Sequence, residues 1–206
     1  MSPRPIRTVQ AIFVHVPKTA GNCILGNLLA HDIKIFGTPH GKWPTAHRRF
    51  SDEEWLKAFR FTMMRNPWDR IVSYYHHSRR TYPEPTQPEQ FAEWVWKHEG
   101  HLIDTSPGRA LFDESGTLQV PNVFQYEKLH EALAHVCAQF GKPLKQVLVQ
   151  NPGSRRREVG SRDWRGYYDP KTFDTVERLS RFEIERFGYT FDDPATPPPA
   201  DWKCNS

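Results

Sequence analysis

Residues 9–23 run from a β-branched, apolar stretch through a short polar turn into a helix-forming segment: Val-Gln-Ala-Ile-Phe-Val-His-Val-Pro-Lys-Thr-Ala-Gly-Asn-Cys. Val9 to Val16 suits a buried central strand. Pro17 ends its ladder, Gly21 lets another group come close to the backbone, and Ile24 to Leu29 read as the first turns of a helix. A strand feeding straight into a helix commits this part of the chain to α/β architecture. The N–H groups of that helix start, with the Lys18 ammonium beside them, form a site for a cluster of anionic oxygens. The competing reading is an ordinary βα turn with a solvated lysine. A Walker A loop is excluded, because that motif needs a leading glycine and a late lysine, and here Lys18 precedes the glycine. No Gly-x-Gly-x-x-Gly dinucleotide fingerprint occurs near the strand.

A second segment has the same grammar. Phe59 to Arg65 is strand-like, and Asn66-Pro67-Trp68-Asp69-Arg70 opens a helix, with Asn66 as N-cap, Pro67 at the first helical position and Asp69 at the positive helix end. Arg65 therefore stands at the carboxyl tip of a strand, where open α/β sheets place ligands. Ser73 lies about two turns into the helix. A guanidinium and a hydroxyl so placed can share one phosphate. Against this stands a purely structural pairing of Arg65 with a carboxylate such as Asp69.

The chain has 206 residues, enough for one well-filled domain, and its 13% aromatic content supplies bulky core material. A net charge of +4 fits anionic ligands but is too weak to single out nucleic acid. The three cysteines, Cys23, Cys137 and Cys204, have no metal-like spacing, and their odd number argues against a disulfide framework. Cys23 and Cys137 read as small buried apolar groups. No metal motif and no run of transmembrane length is present, and the first residues lack an apolar signal core. A cytoplasmic setting is favoured, with an excised luminal domain of an anchored enzyme as the alternative.

Elsewhere, Asp32 to Phe36 forms a second short strand, Gly37 to Pro44 a loop, and Ser51-Asp-Glu-Glu54 a capping box. The helix carrying Ser73 runs to about Arg80, and Glu89 to His98 is helical. Gly100 to Gly116 reads as a long loop of the kind that shapes a substrate mouth. Val120 to Tyr126 is a strand whose Pro121 confines it to an edge or to the strand start. Leu129 to Phe140 is helical with Gly141 as C-cap, Val147 to Val149 is a short strand, and a last helix runs from Asp169-Pro170 to Gly188. The expected fold is α/β: a single domain over residues 1–191 with a mostly parallel central sheet flanked by helices, followed by a proline-rich tail at 192–206.

The Lys18-Thr-Ala-Gly-Asn22 turn resembles the 5′-phosphosulfate loop of sulfotransferases that use 3′-phosphoadenosine-5′-phosphosulfate (PAPS). Met64 to Ser73 is similar to the family's 3′-phosphate segment. Phe124 to Leu129 and Asp163 to Pro170 are looser matches, and together the pieces look like a small, bacterial-like carbohydrate sulfotransferase with a P-loop-like fold. By that resemblance Lys18, Thr19, Ala20, Gly21 and Asn22 hold the 5′-phosphosulfate, and Arg65 and Ser73 hold the 3′-phosphate. Asn22 stands where many relatives have Thr or Ser, and its amide still donates. Ser154 to Arg165 resembles a basic, glycine-containing loop that closes over the donor. It makes Arg162 a further donor contact, with a solvated arginine patch as the equal alternative. Tyr126 reads either as a core tyrosine or as an adenine neighbour.

The resemblance implies in-line sulfuryl transfer to an acceptor hydroxyl, of a glycan or a small molecule, leaving adenosine 3′,5′-bisphosphate. Lys18 would stabilise charge on the leaving oxygen. A histidine would serve as general base. Relatives place that histidine in a Lys-His-x-Thr-Ala context, where this chain reads Lys42-Trp43-Pro44-Thr45-Ala46. His40 is the first choice and His47 the second, each set against a surface histidine in a chain with ten, while His15 reads as a packed core residue. Acceptor contacts are expected from 37–50, 76–99 and 101–116, with His76, His77, Arg79 and Arg80 either available to an acidic glycan or, equally, forming the exposed end of a helix. The alternatives are a nucleotide-dependent kinase, for which a glycine-led lysine loop is missing, and a non-catalytic binding protein for nucleotides or sulfated glycans.

Overall fold

Ala11 and Phe13 pack into one hydrophobic cluster and Ile12 and Val14 into another, so a single strand feeds two cores on opposite faces of one sheet. The structure is a computed structural model and describes residues 9–38, 42–78, 90–145 and 163–193. That strand, β1 (Ala11–Phe13), pairs in parallel with β2 (Ile35–Gly37) on one side and with β3 (Phe59–Met64) on the other. β3 pairs in turn with β4 (Asn122–Gln125), again in parallel. The order is β2-β1-β3-β4, and Met64 lies opposite Gln125. All four carboxyl ends therefore lie along one edge. The chain leaves β1 toward β2 and returns on the other side as β3, so the crevice outside the ends of β1 and β3 is the sheet's topological switch point.

One face is covered by α1 (Gly21–Ala30) and α8 (Leu129–Gln139), with Phe13, Ile24, Leu28, Phe61, Met63 and Leu133 between them and the sheet. The other face carries the larger core, built by α2 (Trp43–His47), α3 (Asp52–Lys57), α4 (Pro67–Ser78), α5 (Phe91–Lys97), α6 (Glu99–Asp104), α7 (Pro107–Leu111), α9 (Pro170–Leu179) and α10 (Arg181–Phe187). Each fully buried Phe, Ile or Leu contributes about 1.5–3 kcal/mol. The stack of Trp68 on Phe173, at 5.6 Å and 9°, ties α4 to α9.

Local signals set the helix ends. Ser51 and Glu54 satisfy each other's backbone N–H in a reciprocal capping box, and Asp169 accepts from the N–H of Thr172. Gly141 and Gly188 take positive φ at the ends of α8 and α10. Pro121 stands just before β4, the outer strand of the described sheet.

Three expectations are corrected. Gly100 to Gly116 is not a long loop: α6 and α7 occupy most of it, because Leu102, Ala110 and Leu111 find buried sites and Pro107 starts α7. The glycines and the proline of that stretch concealed the helical spacing. The last helix is also two helices, broken at Ser180, whose φ of −114° leaves the helical range. The break turns Phe182 onto Phe112 and Glu183 toward Arg70. The loop expected from Gly37 to Pro44 ends earlier, since Trp43 and Pro44 already belong to α2. The strand expected at 147–149 and the stretch 194–206 of the tail lie outside the described residues.

Candidate active site

The turn between β1 and α1 is held open by unusual backbone. Lys18 has φ 70° and Ala20 φ 63°, both in the left-handed region that residues with a Cβ seldom occupy. Such positions cost roughly 1–3 kcal/mol each and persist only where their surroundings hold them. Thr19 is fully buried, and its hydroxyl donates to the Val16 carbonyl at 2.8 Å, pinning the turn from within. That hydroxyl is thus structural, and the residue's offering to a ligand is its N–H. The N–H groups of Thr19, Ala20, Gly21 and Asn22 make no hydrogen bond among the described residues, and no side chain caps α1. Its first turn carries no acidic residue either. A row of donors without acceptors, buried at Thr19 and Gly21 and open at Asn22, is an arrangement able to hold an anion.

The floor of this cradle is a histidine. His15 is buried and stacked on Phe13 at 5.3 Å, as expected of a core residue. Its ring also lies against Gly21, where a Cβ would stand 1.9 Å from Nε2. Only glycine fits there. The His15 N–H donates to Thr38 Oγ1 at 2.9 Å, so β2 delivers the chain to this same edge just before residue 39. Cys23, one turn into α1, is buried as expected, and burial pushes its thiol up to about 11.

Arg65 emerges from the end of β3 and meets this turn. Its Nε donates to Asp69 Oδ2 at 2.7 Å, its Nη1 to the Lys18 carbonyl at 3.1 Å, and its guanidinium lies 4.5 Å from the centre of the Tyr126 ring. Burial works against the charge, but Asp69, Tyr126 and Glu127 outweigh it and hold the guanidinium's pKa above its ordinary value. The pairing with Asp69 therefore exists, and it leaves Nη2 without a hydrogen-bond partner among the described residues. A charge-assisted bond is worth about 1.5–3 kcal/mol, the same size as the strain in the Lys18 turn. Ser73 stands four residues after Asp69 on α4 and so shares its face, and its hydroxyl has no partner among the described residues.

Asn66 caps α4 as expected, its Oδ1 accepting from the N–H groups of Trp68 and Asp69. It is locked in turn: its N–H donates to Glu127 Oε1 at 2.7 Å, and its Nδ2 donates to the Thr190 carbonyl. Glu127 Oε2 accepts from the Tyr189 hydroxyl. Burial raises the pKa of Glu127, opposed chiefly by the Asn66 N–H. Sequence reasoning missed this role of Glu127 and left Tyr126 open between the core and the neighbourhood of an adenine. The usable signal was the neighbouring positions of β3 and β4, which bring the tip of β4 beside Arg65.

His47 is brought elsewhere, into an aromatic setting. Its Nε2 lies 2.8 Å from Asp52 Oδ1, with Trp55 and Trp43 at 5.0 and 5.9 Å. The Trp43 indole donates to the Phe112 carbonyl, and Lys42 pairs with Asp104 at 3.5 Å. These contacts join two of the segments expected to shape the acceptor mouth. His76 does not line a glycan surface: it is buried, with Nε2 2.9 Å from the Tyr167 hydroxyl. His40, Arg79, Arg80 and Arg162 lie outside the described residues. Among those described, no group of histidine, cysteine, aspartate and glutamate could hold a metal ion, and no helix is long and apolar enough to cross a membrane.

A search of curated proteins returns no match to this chain. Residues 57–134, from the end of α3 into α8, match the family model of the sulfotransferase domain. That span includes Arg65 and Ser73, on the strand and helix just described. Over that span, and with its four-stranded parallel sheet, the chain is similar to a sulfotransferase domain, while the Lys18 to Asn22 turn lies outside the matched residues.

Proposed function

We propose that the protein transfers a sulfuryl group from PAPS to an acceptor hydroxyl, leaving adenosine 3′,5′-bisphosphate. The observation that carries this reading is the set of unpartnered N–H groups at Thr19, Ala20, Gly21 and Asn22 beside the unengaged Nη2 of Arg65. Two anion sites fed by the ends of adjacent strands suit a nucleotide with phosphoryl groups at both ends of its ribose. Lys18 and the cradle N–H groups stabilise charge on the oxygen that leaves the sulfur, and Arg65 and Ser73 take the 3′-phosphate. Arg162 joins the donor contacts in this reading. The donor supplies an activated sulfuryl group, and the acceptor oxygen forms its new bond to sulfur as the bridging oxygen departs. The acceptor's proton passes to a histidine. His40 remains first choice; His47, oriented by Asp52, is the second. A sugar hydroxyl is the proposed acceptor class, and residues 1–191 act as one unit.

Calorimetric titration with adenosine 3′,5′-bisphosphate tests the donor site, with 5′-AMP and magnesium ATP as controls. Selective binding of the bisphosphate, abolished by Arg65→Ala in a protein that still melts cooperatively, is the expected result. A preference for magnesium ATP, or no nucleotide binding, overturns the reading.

A further inference from the structure

The two anion sites are joined through one covalently rigid unit. The carbonyl that accepts from Arg65 belongs to the peptide between Lys18 and Thr19, and the described residues contain no cis bonds. In a trans peptide the C=O and the next N–H point in opposite directions. Holding the Lys18 carbonyl toward Arg65 therefore aims the Thr19 N–H away from Arg65. Thr19 is fully buried, and that N–H has no acceptor among the described residues. The turn has little freedom to compensate, because the Thr19 hydroxyl is tied to Val16 and Gly21 is pressed against His15. The guanidinium is fixed along its edge by Asp69 and across its face by Tyr126.

We propose that Arg65 is a positioning residue for the 5′ cradle as well as a ligand of the 3′-phosphate, so that occupancy of the 3′ site sets the direction of the Thr19 N–H. The proposal rests on the donor reading above. A phosphate drawn to Nη2 pulls on a planar group whose Nη1 holds the Lys18 carbonyl. The 3′-phosphate then does more than add its own binding energy. It prepares the cradle, and by reciprocity a filled cradle improves the 3′ site.

The test uses adenosine, 3′-AMP, 5′-AMP and adenosine 3′,5′-bisphosphate with the full chain. Amide shifts of Thr19 and Gly21 are followed by nitrogen-15 NMR while affinities are measured by calorimetry. In the wild type, 3′-AMP, which carries nothing at the 5′ position, should move the Thr19 amide. The 3′-phosphate should also improve affinity at least several-fold more when the 5′-phosphate is present than when it is absent. Arg65→Lys keeps the charge but loses the fork, and should reduce that excess to near unity while some bisphosphate binding survives. Asp69→Asn should reduce it partially. If 3′-AMP binds the wild type without moving the Thr19 amide, or the excess is the same in Arg65→Lys, the coupling is wrong while the donor reading stands. Failure of the bisphosphate to bind the wild type at all sinks both.

Discussion

The imidazole of His15 occupies the volume that any side chain on Gly21 would need, with Nε2 1.9 Å from an ideal Cβ position. The strand residue beneath the turn and the first residue of α1 are thus a matched pair. Gly21→Ala must displace a buried ring stacked on Phe13, at about 1–3 kcal/mol, and should reduce bisphosphate binding at least tenfold. The double variant His15→Ala/Gly21→Ala should recover part of both losses. Strictly additive losses, measured by urea unfolding and calorimetry, would show that the contact is not the reason for the glycine.

Asn66 links the start of α4 to two other elements. Asn66→Ala removes the cap on Trp68 and Asp69 and the bond to the Thr190 carbonyl, and should cost about 1–2 kcal/mol. Asn66→Asp keeps the cap but loses the Nδ2 donor, so its unfolding midpoint should fall between the two. An aspartate variant as unstable as the alanine one would assign the whole effect to the Thr190 bond.

Arg70 and Glu183 face each other in the larger core at 3.8 Å, both almost fully buried, and neither carboxylate oxygen of Glu183 has a hydrogen bond among the described residues. Burial lowers the pKa of Arg70 and raises that of Glu183. Glu183→Gln leaves a buried guanidinium uncompensated and should cost about 3–5 kcal/mol. Arg70→Met/Glu183→Leu should regain most of that loss. Denaturant curves decide, and a cost below about 1 kcal/mol for the glutamine variant would contradict a buried ion pair.

Cys23 gives a pH signature. Its thiol titrates near 11 in the folded chain against 9.0 for the free group, because burial opposes the thiolate more than the Asn27 contact favours it. Its contribution is intact below pH 9 and is lost as pH rises through the folded value, since the unfolded chain releases the proton first. Between pH 9 and 11 the wild type should lose about 2 kcal/mol more than Cys23→Ala does. Parallel stability curves for the two proteins across that range would refute the shift.

Much of this architecture is legible in the chain because its signals are local. Asn66-Pro67, Ser51 with Glu54, and Asp169-Pro170 act through side chains that reach only a turn away, and each starts a helix where expected. The Lys18 and Arg65 turns are legible for the same reason. What escaped depends on partners distant in sequence. The helices α6 and α7 exist because Leu102, Ala110 and Leu111 meet the larger core, and the break at Ser180 because Phe182 and Glu183 have targets elsewhere. Tyr126 could not be placed beneath Arg65 without the order of β3 and β4, nor His76 against Tyr167 without the packing of α4.

The bond from Arg65 to the Lys18 carbonyl spans 47 positions of chain. The turn that carries Lys18 is short and local, yet its working shape is borrowed from a residue that arrives only when β3 docks beside β1. A peptide of residues 9–38 would contain every cradle residue and still lack the cradle. On the proposed donor reading, nucleotide capture would be a late event in folding, and bisphosphate bound during refolding would report assembly of the sheet rather than formation of the turn.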